Sequence, residues 1–383
     1  MSNDRKKIMK KKILFVTGTR ADYGKVKSLI LRLQKRNLFK VNVFVTGMHN
    51  LKKFGSTWEA LKYDKIKNII RFKNQNNNDS MDYVLAKTIV GFKKTVTKLK
   101  PDLIVIHGDR IETLACAIVG SLNNYRTAHI EGGEVSGTVD EILRDSISKL
   151  AHVHFVTNFK AKKRLTQMGE FKNNIFIIGS PDVDIINSKK LPLLEEVKKR
   201  YSIKAKNYGI GILHPVTTNM KNLKNETISF LNAIKKSKKN FILIYPNNDH
   251  GSNIILKEYK NINSSKFKIL PSMRFEYYLT LLKNSKVIVG NSSSGIMEAP
   301  YYGVPTINIG DRQKNRSKLK TIQHCKLNEK KILSLINKMF LKKNRNKTKS
   351  EFGKGRSFEI FDKILRSKKL WKIDTQKQFQ DIK

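Results

Sequence analysis

The feature that most constrains the fold of this chain is an alternation of short apolar runs with longer amphipathic stretches. In the first half, runs of four to seven residues predict strands at 13–17, 41–46, 102–108, 127–130, 153–157 and 175–179. Between them, amphipathic patterns predict helices near 22–36, 82–99, 111–123, 138–151 and 158–169. Strands that alternate with helices in this way are typical of a parallel, doubly wound α/β sheet.

The same rhythm restarts in the second half of the chain. Further strands are predicted at 208–214, 241–246, 267–270, 286–290 and 305–310, and a last amphipathic helix at 357–367. A chain of 383 residues is too long for one ordinary hydrophobic core. We therefore predict two α/β domains in series, joined near 181–192, with a solvated loop at 73–80.

The chain is strongly basic, with 77 Lys and Arg against 31 Asp and Glu and a formal net charge of +46. Such a charge is compatible with nucleic-acid binding. The lysines are scattered through nearly every segment, however, and neither an RNA-binding aromatic motif nor a zinc finger accompanies them. We therefore interpret the charge as a composition bias on solvated faces that favours anionic substrates, and predict no specific nucleic-acid partner.

Cysteine use and the N-terminal residues bear on the setting of the protein. Cys116 and Cys325 are the only cysteines, and their separation matches no metal or redox motif. We expect a reducing, cytoplasmic setting and no metal site. The first apolar segment spans only about five residues, too short for a signal-peptide core. No segment reaches the apolar length of a membrane span, so we predict no membrane insertion.

Polar residues at the carboxyl ends of the predicted strands are the candidate site, because two tandem α/β domains would face one cleft with those ends. In the second half, Gly290 ends a strand and is followed by NSSSG and a predicted helix. Ser292 and Ser293, with backbone N–H groups at a helix start, suit a diphosphate, although one serine also suffices as a simple helix cap. Glu298, in the first helical turns, could accept both hydroxyls of a ribose.

Further polar groups follow other strands of the second half. His214, Asn247 with Asn248, and Arg312 each lie at or just after a predicted strand. In isolation, a histidine in such a position is also compatible with a loop residue that has no functional role. Beside the serines, these groups predict an anion-binding face.

The strands of the first half end in charged residues. Arg20 follows the first strand within TGTRADYG, and an arginine at such a strand end usually binds an anion. Asp109 and Arg110 end a second strand, and Glu131 and Glu134 follow the next. Carboxylates that face an anion-binding half are the arrangement required for proton transfer beside a diphosphate leaving group.

Asp140 and Arg144 lie on the predicted helix that follows. They are four residues apart and share one helix face, a spacing that is usual for a surface ion pair. Their place beside the other carboxylates favours a role in the site instead. Burial near like charges would raise the pKa of one carboxyl group toward use as an acid or base.

Together these segments resemble the UDP-N-acetylglucosamine 2-epimerase family. The motifs TGTRADYG, HGDR, HIEGGEVSGTVDE, HPVTT, GNSSSGIMEA and INIGDRQ occur in the order typical of that family, over residues 11–367. Each motif alone is weak, but the set is specific. RADYG and EGGEVSGT resemble the hydrolysing branch, which makes precursors of sialic and legionaminic acids for surface polysaccharides.

The resemblance implies a fold and a reaction. The fold is GT-B. A Rossmann-like domain at 1–184 carries the sugar-binding and catalytic carboxylates, and a second one at 185–355 binds the nucleotide diphosphate. A crossing helix and tail follow at 356–383. The reaction converts UDP-N-acetylglucosamine and water to N-acetylmannosamine and UDP by elimination to a glycal and rehydration. The resemblance implies no cofactor and a homodimer or tetramer. UDP- or GDP-N,N'-diacetylbacillosamine stays open as the substrate, because no residue that lines C4 and C6 of the sugar is identified.

The same resemblance assigns roles to single residues. It implies acid–base and sugar contacts for Asp109, Glu131, Asp140, Arg144 and His214. It implies nucleotide contacts for Arg20, Arg110, His214, Asn247, Met273, Ser292, Ser293, Glu298 and Arg312, with Met273 acting through its backbone toward the base. Gly24 departs from the pattern, because several relatives have a serine there beside the phosphates.

A GT-B glycosyltransferase is the alternative of another class. It would share the cleft and the Ser and Glu nucleotide site, but it would transfer the sugar to an acceptor and need not carry the HIEGGE and VDE segments. Incubation with UDP-N-acetylglucosamine without an acceptor separates the interpretations. The epimerase releases UDP and a free amino sugar, whereas a transferase or a nucleic-acid-binding protein releases little.

Overall fold

The first half of the chain folds into a seven-stranded parallel sheet. The structure is a computed structural model that describes residues 9–76, 79–188, 190–262, 264–342, 345 and 351–381. The strands are β1 (Lys12–Thr17), β2 (Lys40–Val45), β3 (Ile69–Arg71), β4 (Leu103–His107), β5 (Thr127–Ile130), β6 (Val153–Val156) and β7 (Ile175–Ile177). They lie in the order β3-β2-β1-β4-β5-β6-β7, so the strand order reverses between β1 and β4. Ligands of open α/β sheets bind at such a reversal.

Helices cover both faces of this sheet. They are α1 (Arg20–Arg36), α2 (Glu59–Tyr63), α3 (Met81–Leu99), α4 (Ile111–Leu122), α5 (Val139–Leu150) and α6 (Phe159–Gln167). Phe44 packs on Phe92 of α3 with ring centroids 5.0 Å apart, and Cys116 of α4 is buried in the same cluster. The two strongly apolar faces of the central strands account for the continuous hydrophobic runs in the sequence.

The second half forms a six-stranded parallel sheet. Its strands are β8 (Gly209–Ile212), β9 (Phe241–Ile244), β10 (Phe267–Leu270), β11 (Ile288–Gly290), β12 (Thr306–Ile309) and β13 (Ile322–Cys325). The order is β10-β9-β8-β11-β12-β13, with the same kind of reversal between β8 and β11. The helices are α7 (Val183–Ile186), α8 (Leu194–Arg200), α9 (Leu223–Lys236), α10 (Ser252–Asn261), α11 (Phe275–Asn284), α12 (Ser294–Met297) and α13 (Glu329–Leu341).

The last helices return to the first sheet. α14 (Ser357–Arg366) and α15 (Lys368–Trp371) follow the second sheet in the sequence. Phe361 of α14 is fully buried against the first sheet, with its ring centroid 4.8 Å from that of Phe155 and 6.4 Å from that of Phe15. The two doubly wound domains and this crossing helix confirm the predicted GT-B architecture.

The start of α1 places Arg20 at the end of β1. Thr19 caps the helix, because its side chain accepts a hydrogen bond from the backbone N–H of Asp22 at 3.1 Å. The Asp22 carboxylate in turn accepts from the backbone N–H of Thr19 at 3.0 Å. This reciprocal capping box begins the helix within three residues of the strand. It holds Arg20 and Asp22 at the edge where the two sheets meet.

The predicted strands and the helices that separate them are present, but two strands were not predicted. β3 and β13 are short outer strands of their sheets. The prediction of a solvated loop at 73–80 is wrong at Asn74 and Gln75, which are buried. Asn74 accepts from the backbone N–H of Gly47 at 2.9 Å, and Gln75 donates to Glu112 at 3.2 Å. Residues 77 and 78 lie outside the described residues.

The chain passes from the first sheet to the second between β7 and β8. The short helix α7 spans the predicted limit at 184, and Val183 and Ile186 are buried in a core of the second half. The predicted limits of the domains stay a prediction. Among the described residues, no helix is long and apolar enough to cross a membrane.

Candidate active site

A cleft of about 250 Å³ lies between the carboxyl ends of the two sheets. Most of the residues predicted for the site line it, and they come from both halves of the chain: Arg20, Asp109, Arg110, Glu131, Asp140, His214, Asn247, Ser292, Ser293, Glu298 and Arg312. The strand-end rule alone brings these residues together, although they are spread over nearly 300 positions. Arg144 and Met273 do not line the cleft.

Arg144 and Met273 lie directly behind the cleft wall. Arg144 is 1% exposed, and its guanidinium pairs with Asp109 and donates to the backbone carbonyl of Glu134 at 3.0 Å. The Met273 side chain is buried in a core of the second half, whereas the preceding Ser272 lines the cleft. Arg144 therefore contacts the cleft only through Asp109.

Asp109 and Asp140 are paired with different arginines. Burial would raise the pKa of Asp109, but the adjacent Arg144 guanidinium lowers it to about 2. Asp140 does not pair with Arg144, its neighbour on α5. Instead it accepts a hydrogen bond at 2.8 Å from Arg312, which belongs to the second half of the chain. Burial raises the pKa of Asp140 although Arg312 opposes the rise.

Glu131 is held from several sides. Lys25 of α1 contacts both of its carboxylate oxygens, at 3.1 and 3.2 Å, and Ser180 donates to Oε1 at 2.8 Å. His107 Nε2 lies 3.4 Å from Oε2. Burial opposes ionisation, but the charges of Lys25 and His107 lower the pKa of Glu131 well below its ordinary value. The carboxylate is therefore ionised and fixed at neutral pH.

The backbone of Glu131 is also unusual. Its φ angle is 68°, in the left-handed region that a residue with a side chain seldom adopts. Its backbone N–H donates to the carbonyl of Phe155 at 3.1 Å, so the sheet pairing continues up to this residue. Strain at a buried charged residue is characteristic of functional sites.

The loop after β11 and the start of α12 form the face that was predicted to bind an anion. Ser292, Ser293 and Ser294 line the cleft, and α12 begins at Ser294. Asn291 accepts from the backbone N–H of His214 at 2.7 Å and donates to the backbone carbonyl of the same residue at 2.9 Å. This reciprocal pair joins the loop after β8 to the loop after β11.

His214 presents a neutral ring to the cleft. Burial and the charges of Arg312 and Arg110 lower its pKa well below the ordinary value. Its Nδ1 accepts a hydrogen bond from the backbone N–H of Asn247 at 3.0 Å. The ring proton therefore resides on Nε2, which makes that nitrogen a hydrogen-bond donor.

The cleft arginines differ in their partners. Arg110 pairs with Asp249 at 2.8 Å and also donates to Asn248, and Arg312 pairs with Asp140. Arg20, in contrast, has two buried guanidinium nitrogens, Nε and Nη1, without a hydrogen-bond partner among the described residues. Burial lowers the pKa of Arg20 to about 10, so the side chain is still a cation at neutral pH. A buried cation without a partner favours an anionic ligand.

Glu298 lies at the floor of the cleft. It is 4% exposed, and its Oε2 has no hydrogen-bond partner among the described residues. Burial raises the pKa of Glu298 to about 7, the charge of the nearby Asp182 adds to the rise, and Lys25 opposes it. A carboxylate with an unused oxygen at this place can accept hydrogen bonds from a ligand.

Several residues of the cleft were not assigned a role from the sequence. Lys25, Asp22 and His107 line it in the first half, and Tyr278 and Arg316 in the second. His107 precedes Gly108 in the HGDR motif, so its position at a strand end was visible in the sequence. Lys25 meets Glu131, which lies 106 residues further along the chain, and no local pattern records such a contact.

Within the described part of the chain, no group of three or more His, Cys, Asp and Glu side chains is arranged to bind a metal ion. Cys116 is buried in the core and Cys325 ends the outer strand β13.

Two doubly wound domains, carboxylates on one wall and an anion-binding face on the other define a GT-B protein with a cleft for an anionic ligand. The family model described as UDP-N-acetylglucosamine 2-epimerase matches residues 31–366. The chain belongs to the UDP-N-acetylglucosamine 2-epimerase family.

Known proteins support this membership along the whole chain. The chain is 43% identical to a UDP-N-acetylglucosamine 2-epimerase of Neisseria meningitidis serogroup B, over 97% of this chain and 99% of that protein. It is 33% identical to a hydrolysing UDP-N,N'-diacetylbacillosamine 2-epimerase of Legionella pneumophila, over 94% and 96%. The crystal structure of a UDP-GlcNAc 2-epimerase from Neisseria meningitidis bound to UDP-GlcNAc has the same fold, with a TM-score of 0.78, 20% identity and coverage of 92% and 99%.

Proposed function

We propose that this protein is a hydrolysing UDP-N-acetylglucosamine 2-epimerase, which converts UDP-N-acetylglucosamine and water to N-acetylmannosamine and UDP. The observation that carries the proposal is the pairing of two opposed walls in one cleft. Asp109, Glu131 and Asp140 come from the first half, and the serine loop with Arg312 from the second, while Arg20 in the same cleft has two buried nitrogens without a partner among the described residues. Such a cleft can abstract a proton and accept a diphosphate within one bound substrate.

The first step is an elimination. A carboxylate removes the proton from C2, the C–H electron pair forms the C1–C2 double bond, and the C1–O bond breaks with its electrons leaving on the diphosphate. Glu131 is the base in this proposal, because it lines the cleft and is held ionised by Lys25. Arg20, Arg312 and the Nε2 proton of His214 stabilise the negative charge that develops on the leaving diphosphate.

The second step is the addition of water to the glycal. A proton is delivered to C2 on the face opposite to the first abstraction, and the hydroxide component of water bonds to C1. Asp140 is suited to carry that proton, because burial raises its pKa and it lines the cleft across from the serine loop. Asp109, held ionised by Arg144, is suited to orient the water.

The nucleotide is held by the second half of the chain. Glu298 accepts the hydroxyls of the ribose with its free oxygen, and Ser292 and Ser293 donate to the diphosphate. The base lies toward Ser272, next to the backbone of Met273. We also propose that the active protein is a homodimer or tetramer, as the resemblance implies.

An incubation in heavy water tests the proposal. With UDP-N-acetylglucosamine and no acceptor, we expect release of UDP and of free N-acetylmannosamine that carries deuterium at C2. Glu131→Gln should reduce turnover by about 10²–10⁴-fold with UDP affinity nearly unchanged. Retention of the original hydrogen at C2 would exclude the elimination, and the absence of nucleotide diphosphate release from UDP-N-acetylglucosamine and from UDP- and GDP-N,N'-diacetylbacillosamine would favour a GT-B transferase.

The second candidate substrate is UDP- or GDP-N,N'-diacetylbacillosamine. It is favoured by the 33% identity, over 94% of this chain, to a relative whose name specifies the UDP form. The higher identity to a UDP-N-acetylglucosamine 2-epimerase favours the first candidate. Parallel measurements of kcat/KM with the three nucleotide sugars decide between them.

A further inference from the structure

We propose that His107 is a positioning residue that, as an imidazolium, holds the Glu131 carboxylate ionised and aimed into the cleft. This inference rests on the proposed function, in which Glu131 takes the proton from C2. No role was assigned to His107 from the sequence. The inference depends on where the ring lies and which charges face it.

The ring of His107 lies between two carboxylates. His107 ends β4, and its neighbour in the sheet register is Ile130, the residue before Glu131. Its Nε2 is 3.4 Å from Glu131 Oε2, and its Nδ1 is 3.9 Å from Asp22 Oδ1. The residue is 5% exposed, and neither ring nitrogen has a hydrogen-bond partner among the described residues. The ring therefore interacts mainly through its charge.

Two carboxylates on opposite sides select one protonation state of the ring. A neutral imidazole has a proton on only one nitrogen, so its other nitrogen would turn a lone pair toward a carboxylate. The imidazolium has a proton on each nitrogen and suits both neighbours. Burial opposes this charge, but Glu131 and Asp22 raise the pKa of His107 to about 9.

Other charged groups near the ring are consistent with this assignment. Lys25, which faces the ring from α1, lowers the pKa of His107 and thus limits the rise. His129 of β5 is neutral, because burial lowers its pKa to about 3, and its Nε2 lies 2.8 Å from the carbonyl of Gly108. Arg316, which also favours the ionised form of Glu131, faces it from the second half of the chain.

Lys25 and His107 have different tasks in this arrangement. Lys25 of α1 donates hydrogen bonds to both carboxylate oxygens of Glu131, whereas His107 of the neighbouring strand lies near Oε2. A nearby opposite charge lowers the pKa of a carboxyl group by about 1–3 units. Loss of the imidazolium should therefore leave Glu131 bound to Lys25, with a pKa that rises from its lowered value by about one unit or more.

The ion pair can be measured without turnover. In protein with labelled histidine rings, nuclear magnetic resonance follows the titration of His107, assigned by its loss in His107→Gln or, if that variant does not fold, in His107→Asn. We expect a protonated ring at pH 7 that loses its proton near pH 9, and loses it at least about one unit lower in Glu131→Gln. A neutral ring at pH 7, or a titration that is unchanged in Glu131→Gln, would overturn the inference.

Kinetics test the consequence for the reaction. In His107→Gln, the acidic limb of the kcat profile should move to higher pH by about one unit or more, with UDP affinity unchanged. His154→Gln is the matched control, because His154 is buried on β6 against Glu170, at 2.9 Å, and does not line the cleft. Its acidic limb should stay where it is in the unmodified protein.

The outcomes separate this inference from the proposed function. An unmodified protein without turnover contradicts the proposed function, and the ring titration still decides the state of His107. Turnover with an acidic limb that is equal in His107→Gln and in the unmodified protein contradicts the inference alone.

Discussion

At the scale of single residues, the arginines of the cleft differ in whether a carboxylate of the protein already pairs with them. Arg312 is engaged with Asp140 and Arg110 with Asp249, whereas two nitrogens of Arg20 have no partner among the described residues. A diphosphate can bind Arg20 without displacing a carboxylate, but it must compete for Arg312. The two walls of the cleft are therefore electrostatically coupled before any ligand binds.

The Arg312–Asp140 pair predicts an opposite effect of one substitution on binding and on turnover. Asp140→Asn removes the charge that competes for Arg312, at 2.8 Å in the present structure. We expect UDP to bind about threefold to tenfold more tightly, as calorimetry would measure, because the loss of a charge-assisted contact frees the guanidinium. Turnover should fall at the same time by about 10²–10⁴-fold.

Asp145→Asn provides the control for that prediction. It removes the same charge from the same helix, α5, but Asp145 does not line the cleft. Equal tightening in both variants would show a general effect of net charge. Weaker binding of UDP in Asp140→Asn would place Asp140 among the groups that hold the nucleotide.

Glu298 predicts a pH dependence of nucleotide binding. Burial raises its pKa to about 7, so the carboxylate form, to which the proposed function assigns the ribose hydroxyls, is present above that pH and is lost as the pH falls through it. If only the ionised form binds the ribose, UDP affinity should fall about tenfold between pH 8 and pH 6. Inorganic diphosphate, measured over the same range, corrects for the protonation of the phosphates.

Glu298→Gln tests the origin of that dependence. The amide has no charge to lose, so its UDP affinity, after the same correction, should be nearly independent of pH and lower than that of the unmodified protein at pH 8. A pH dependence that persists in Glu298→Gln would assign the titration to another group. A loss of affinity that is equal for UDP and for diphosphate would indicate a structural role at the end of α12.

At the scale of elements, the crossing helix α14 ties the end of the chain to the first sheet. Phe361 is 0% exposed, whereas its neighbour Ile360 is 38% exposed. Phe361→Ala should lower the stability of the first domain by about 3–5 kcal/mol, because it leaves a cavity between Phe155 and Phe15. Urea unfolding, followed by a probe in the first domain, measures the effect.

Ile360→Ala is the matched control on the same helix. Its side chain is partly exposed, so its loss should cost about 1 kcal/mol or less. Equal effects of the two substitutions would mean that the buried face of α14 contributes no more to stability than its exposed face.

The elements also show how far the sequence predicts the fold. Apolar runs that are buried on both faces, such as Leu103–His107, are visible because all residues before the final histidine are apolar. β3 and β13 were not predicted because they are outer strands of only three and four residues. Arg71 of β3 is exposed, as are Gln323 and His324 of β13. Neither has the length or the alternation that distinguishes a strand from a loop.

The residues of the candidate site also divide into those that the sequence predicts and those that it does not. Residues at the ends of predicted strands, such as Asp109 and His214, were predicted to lie at the cleft, and the structure brings them there because parallel strands end at one edge. The partners within the cleft were not predicted, because Asp140 meets Arg312 and Lys25 meets Glu131 across more than 100 positions. The contact of Lys25 with Glu131 depends on the packing within the first domain, and that of Asp140 with Arg312 on how the two domains dock, and the local sequence encodes neither.

At the scale of the whole molecule, a buried polar cluster joins the two halves beside the cleft. Asp64 accepts from Tyr23 at 2.8 Å and pairs with Lys27 at 2.7 Å, all within the first half. From the second half, Arg274 pairs with Asp64 at 2.9 Å and Glu276 pairs with Lys27. Because these groups are largely buried, the cluster fixes the relative position of the domains more strongly than surface pairs would.

At Gly24, the two halves of the chain approach each other closely. A Cβ atom at this position would lie 2.9 Å from both Cβ and Cγ of Phe275, which begins α11 in the second half. A serine at this position would therefore not fit the present packing without a shift of one domain or of the Phe275 side chain. The absence of a side chain on α1 permits the two domains to close.

Gly24→Ala should therefore weaken closure without weakening the helix. Alanine favours a helix over glycine by about 1 kcal/mol, so the first domain should not lose stability. The added methyl group pushes α11 away, so we expect UDP affinity to fall about tenfold or more. The radius of gyration of the UDP complex, measured by small-angle scattering, should increase.

Because Phe275 itself lines the cleft, a double-mutant cycle with Phe275→Ala isolates the contact. In the Phe275→Ala background, Gly24→Ala should cost clearly less UDP affinity, since Cγ and the ring are gone. A cost that is the same in both backgrounds would show that the contact between these two residues does not limit closure of the cleft.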